Sequence, residues 1–212
     1  MKEEIFSEEY KDYLEEMVNI GAGNAAGALE DILKYRFDMV LPQIHVLPPH
    51  KAFSVIGDPS TSVVCVKMNM IGDVKGEMFF MVPYDQAQYV MELAQESIDQ
   101  DQKKGDSLDL SVMMEIGNIL AGVYLTAIHD FCKLNIYHTV PVLAADMVQA
   151  VLDETVARLG VNAVMLVIIV NKFESTLQGK KAINAYLVMI PNKGYENVLM
   201  DSMREAKKLS GR

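Results

Sequence analysis

Two acids and two amides recur as pairs in this 212-residue chain. Glu16 precedes Asn19 by one helical turn, and Glu115 precedes Asn118 by the same interval. Asp12 and Gly23 flank the first pair, and Ser111 and Gly122 flank the second. Pro42 and Pro141 follow at equal distances. At about 100° per residue, Asp12, Glu16, Asn19 and Gly23 fall within roughly 30° of one helical line. That line carries a carboxylate, which accepts hydrogen bonds, and a carboxamide, which donates and accepts. A single such pair is usually a solvated helix face. Solvation does not call for the same acid, amide, glycine and distant proline a second time.

The usual catalytic sets are missing. His45, His50, His129 and His138 form neither an HExxH motif nor a Cys–His cluster, so no metal ligation is expected. Gly21-Ala22-Gly23 resembles the start of a dinucleotide fingerprint, but no strand precedes it, and helix packing is the expected role. There is no P-loop and no GxSxG elbow, and Ser111 has no His partner at helical spacing. Cys65 and Cys132 read as packing residues suited to a reducing cytoplasm.

The elements that must position the pairs follow from periodicity. A helix is expected from an N-cap at Ser7 to about Tyr35, with Leu14, Val18, Ala22, Ala25, Leu29 and Ile32 forming one apolar stripe. That stripe centres about 140° from the Glu16–Asn19 line. Gly21, Gly23 and Gly27 lie inside this helix at roughly 1 kcal/mol each against Ala, which points to close approach by another backbone. Strands are expected over residues 62–69 and 76–83, then a helix over 85–99. The polar stretch 99–107 reads as a linker. A helix over 108–131, a short helix near 145–159, strands over 164–173 and 181–190, and a helix over 193–208 complete the chain. Most methionines, among them Met78, Met81, Met113, Met114 and Met189, are expected in the core.

The order of elements therefore starts twice. Shifted by 99 positions, residues 12–42 align without a gap onto 111–141, with Glu16/Glu115, Asn19/Asn118, Gly23/Gly122, Asp31/Asp130, Lys34/Lys133 and Pro42/Pro141 identical. Such a duplication predicts an α/β (α+β) fold of two pseudo-two-fold related units, about 7–100 and 107–209. Their shared, largely antiparallel sheet would have about six strands, flanked by the two long site-bearing helices and further helices.

The formal charge of −10, without a Lys/Arg block, argues against nucleic acid or an anionic membrane as partner. The acidic N-terminus lacks the apolar segment of a signal peptide. The longest apolar run, Ala163 to Val170, is far short of a membrane span. A cytoplasmic protein is expected.

With these residues in view, the chain resembles the CheC, CheX and FliY phosphatases of bacterial chemotaxis. Their Asp/Ser-x3-Glu-x2-Asn-x22-Pro signature is matched from Asp12 to Pro42 and again from Ser111 to Pro141. At about 5% per residue type, one such match arises by chance in roughly one chain of this length in several hundred. The length and the two-site layout resemble CheC. The resemblance implies one CheC-like phosphatase domain over 1–212, expected as a monomer, acting on phosphorylated CheY. It implies that Asn19 and Asn118 hold the attacking water, while Glu16 and Glu115 pair with the CheY active-site lysine. Asp12, Gly23, Pro42, Ser111, Gly122 and Pro141 would be supporting positions, with Gly23 and Gly122 leaving room for the approaching backbone. No cofactor is expected on this chain, because the Mg²⁺ of the reaction belongs to the response regulator.

Two other readings stay open. The chain could serve chiefly as a CheY-P-dependent partner of the receptor deamidase CheD, with weak turnover. A structural flagellar-switch role would call for a further domain beyond Lys208.

Overall fold

A computed structural model describes residues 8–96, 110–159, 166–175 and 181–210. The chain runs α1 (Glu8–Leu33), β1 (Phe37–Leu47), α2 (Phe53–Ile56), β2 (Ser62–Gly72), β3 (Gly76–Pro83) and α3 (Tyr84–Glu96). It continues with α4 (Ser111–Cys132), β4 (Ile136–His138), β5 (Val142–Met147), α5 (Val148–Leu159), β6 (Leu166–Ser175), β7 (Ile183–Pro191) and α6 (Tyr195–Ser210). The Ser7 cap and the 99–107 linker lie outside the described residues.

All the strand pairs are antiparallel, and they build one sheet ordered β1-β6-β7-β3-β2, with β4 and then β5 both on the outer edge of β2. Exchanging the halves (β1 for β4–β5, β2 for β6, β3 for β7) reverses this order onto itself. The outer strand of each half is therefore held by the inner strand of the other, so neither half completes its own sheet edge.

Both sheet faces are covered, which explains the near-continuous apolar runs of the inner strands. Val64, Val66, Met78, Phe80, Ile169 and Leu187 point toward α1, α3, α4 and α6. Val63, Cys65, Phe79, Met81, Ile168 and Val188 point the other way, where Ile56 of α2 and Val151 and Leu152 of α5 cover them. The expected α1 stripe is in the core: Leu14, Val18, Ala22, Ala25 and Leu29 are buried, and Ile32 is half-buried. Met78, Met81, Met113 and Met189 are buried as expected. Met114 is half-buried and lines a surface depression instead.

The structure departs from the expected elements at two places. Residues 145–147 belong to β5 rather than to the helix that follows. Their ladder to β2, Ala145 opposite Val64 and Met147 opposite Ser62, overrides the helical preference of the alanines. Residues 37–47, which gave no strand signal, form β1, and with β4 and β5 sharing one edge the sheet has the six positions expected of it. By length and composition alone α4 would be apolar enough to cross a membrane. Here Met113, Ile116, Leu120, Tyr124 and Ile128 of α4 are packed into the protein core.

Candidate functional site

Two long helices carry the repeated pairs, and both end the same way. Lys34 and Lys133 adopt left-handed backbone at φ 58° and 56°. Each donates its N–H to the carbonyl four residues back, Lys34 to Glu30 and Lys133 to His129, both at 2.8 Å. This cap stops the helix and turns the chain back toward the sheet. The motif proline then interrupts the returning strand. Pro42 sits at a register shift in β1 between Val40 and Gln43. Pro141 occupies the gap between β4 and β5. Proline has no N–H for a ladder, so the outer strand breaks where it stands.

The two helices pack against each other through unequal residues at matching positions. Gly21 and Ala25 of α1 correspond to Leu120 and Tyr124 of α4. A Cβ at Gly21 would stand 2.9 Å from Cδ1 of Tyr124, so the missing side chain makes room for the ring. The Tyr124 hydroxyl donates to Oδ1 of buried Asn171, whose amide nitrogen reaches the carbonyls of Ile169 at 3.3 Å and Ala185 at 3.5 Å. Burial pushes the Tyr124 phenol well above its usual range. Gly117, which matches Val18, is likewise a contact glycine, since its Cβ would meet Val66 at 2.9 Å. Gly23 and Gly27 differ: nothing lies within 4 Å of a Cβ at either position.

This packing turns the paired residues outward. Glu16, Asn19 and Gly23 are exposed on α1, and Pro42 is half-buried in β1. Asp12 lies within α1. On α4, Ser111 and Glu115 are exposed, while Asn118 and Gly122 are half-buried. Among the described residues, none of the carboxylates or carboxamides of Glu16, Asn19, Glu115 and Asn118 has a hydrogen-bond or ion-pair partner. Their capacity is free to act on something outside the chain.

The α4 copy is set into an open depression of about 760 Å³. Ser111, Glu115, Asn118 and Pro141 line it together, joined by Ile32 from α1 and by His138, Thr139 and Val140. The motif proline thus stands in the wall of the site as well as shaping the chain. Sequence reasoning did not single out His138 as part of this wall. It lies 20 positions after Asn118, with no helical register linking the two. The one available signal was a departure within the repeat, since Met39 holds the matching position in the first half. Among the described residues, no three His, Cys, Asp or Glu side chains gather as metal ligands.

A family model described as the CheC-like family matches residues 108–144, the stretch holding Glu115, Asn118 and Pro141. The chain is 35% identical over 188 residues to the Bacillus subtilis (strain 168) protein named CheY-P phosphatase CheC. That match covers 87% of this chain and 89% of the relative. FliY of Thermotoga maritima has a similar structure, with a TM-score of 0.69 at 17% identity over 95% of this chain and 99% of that one. The middle domain of FliM from H. pylori gives a TM-score of 0.63 at 11% identity, over 92% and 99%. At these identities the two structures show a shared fold.

Proposed function

The chain belongs to the CheC-like family, and from that premise we propose that it accelerates hydrolysis of the aspartyl-phosphate of the chemotaxis response regulator CheY. One observation carries this reading: two Glu–Asn pairs stand at matching positions of two matching helices, Glu16, Asn19 and Glu115 exposed and Asn118 half-buried. The relative sharing 35% identity over most of both chains is itself named a CheY-P phosphatase.

An acyl phosphate is already activated, so a helper protein supplies position and charge rather than a nucleophile. Asn19 or Asn118 enters the regulator's site. Its carboxamide accepts from a water and donates to it, holding the water in line with phosphorus. Glu16 or Glu115, one turn earlier on the same face, pairs with the regulator's lysine and sets the depth of insertion. The bare surface at Gly23 and the half-open one at Gly122 admit the approaching backbone. The regulator contributes Mg²⁺, and no cofactor is assigned to this chain.

The test is phosphate release from acetyl-phosphate-treated CheY with and without the protein. Faster release supports the reading, and an unchanged rate rejects it. A protein acting chiefly as a ligand of CheD would leave the rate unchanged while retaining CheD in a pull-down.

A further inference from the structure

His138 separates two depressions. It lines the one that holds Glu115 and Asn118, and also a smaller one of about 310 Å³ beside it, with Gly122, His129 and Tyr137. Its Nδ1 lies 3.0 Å from the Thr139 carbonyl, which accepts only if that nitrogen carries the proton. Thr139 is itself fixed on β2: its N–H donates to the Asn69 carbonyl, and its Oγ1 accepts from the Asn69 N–H, both at 3.0 Å. The ring is thereby oriented with Nε2 toward α4, 3.7 Å from where a Cβ of Gly122 would stand. Gly122 lies one turn beyond Asn118 on the same face of α4.

The titratable groups around the ring are few. Glu115 and His129 come from α4 and Tyr137 from β4, while Asn69, Met70 and Ile71 of β2 carry no charge. Among the described residues that line the depression holding the site, His138 is the one able to carry positive charge, and Glu115 lines the same depression. A phosphorylated regulator brings an anionic centre to this place. The first copy has Met39 at the matching position.

We propose that His138 is a positioning residue of the second site, meeting the docked phosphoryl-regulator through Nε2, a contact that Met39 at the matching position of the first copy cannot make in the same way. This rests on the phosphatase reading of the same site. It makes the two copies unequal in a specific way: the second has an imidazole in its wall, where the first copy has Met39 at the matching position.

Two backgrounds separate the copies: Asn19→Ala leaves only the second site, and Asn118→Ala only the first. Phosphate release from acetyl-phosphate-treated CheY is then measured across pH 6–8 in each, with His138 intact, as His138→Gln and as His138→Met. With only the second site, either substitution is expected to raise KM roughly two- to fivefold, the size of a part-exposed polar contact, with kcat little changed. With only the first site, neither substitution should alter the profile. Identical profiles with and without His138 in the second-site protein would overturn the proposal, as would an equal loss in both backgrounds, which marks structural damage. If the unsubstituted chain does not accelerate release at all, the phosphatase reading fails and this proposal with it; that result is seen before any His138 variant is made.

Discussion

Gly21 of α1 and Tyr124 of α4 are complementary: a Cβ added to the glycine would stand 2.9 Å from the tyrosine ring. The ring cannot easily withdraw, because it is buried and its hydroxyl is bonded to Asn171. Gly21→Ala should gain about 1 kcal/mol of helix propensity but cost about 1–3 kcal/mol in overpacking. The net expectation is a loss near 1 kcal/mol, read as a lower urea midpoint. Gly23→Ala meets nothing within 4 Å and should stabilise the fold by up to about 1 kcal/mol. It should nevertheless slow CheY dephosphorylation in an Asn118→Ala background. Equal stability changes at the two glycines would contradict the packing described.

Tyr124→Phe removes the hydroxyl that bonds buried Asn171 and leaves Asn171 Oδ1 without that donor. A loss of about 1–2 kcal/mol is expected by denaturant unfolding, with site activity retained. An unchanged midpoint would mean that the bond contributes nothing net.

The caps at Lys34 and Lys133 place ordinary residues in left-handed backbone. Lys133→Val should cost roughly 1 kcal/mol or more, because a β-branched side chain fits that conformation poorly. Lys133→Gly should cost nothing or stabilise the helix end. A thermal melt distinguishes them, and the reverse order would refute the cap assignment.

Burial pushes the Cys65 thiol up to about 12 and the Cys132 thiol up to about 11. The thiolate is the reactive form, so both should stay protonated and inert at pH 8 while the chain is folded. A thiol reagent should label neither in the native protein and both in denaturant. Rapid labelling of the folded chain would contradict the burial.

Much of the site was legible in the sequence because its parts lie on one helical face, where spacing and direction are the same information. The inner strands were legible because burial on both faces makes them continuously apolar. Strand β1 was not: Pro42, Gln43 and His45 interrupt its pattern, and its stability comes from β6, more than a hundred residues away. β4 is too short to show a period, and the alanines of β5 suit a helix until β2 supplies a ladder. His138 escaped notice for the same reason. Its place beside Asn118 is set by the Thr139–Asn69 pairing, a tertiary contact with no local signature. Gly21, where the second copy has Leu120, is the small partner of Tyr124 across the α1–α4 contact.

Asn19 and Asn118 are proposed each to serve an independent copy of one phosphatase site. The most direct test is phosphate release from acetyl-phosphate-treated CheY by Asn19→Ala, Asn118→Ala and the double variant, each checked for an unchanged circular dichroism spectrum. Each single variant should keep part of the stimulated rate, and the double variant should fall to the rate of CheY alone. Undiminished stimulation by the folded double variant would contradict the account.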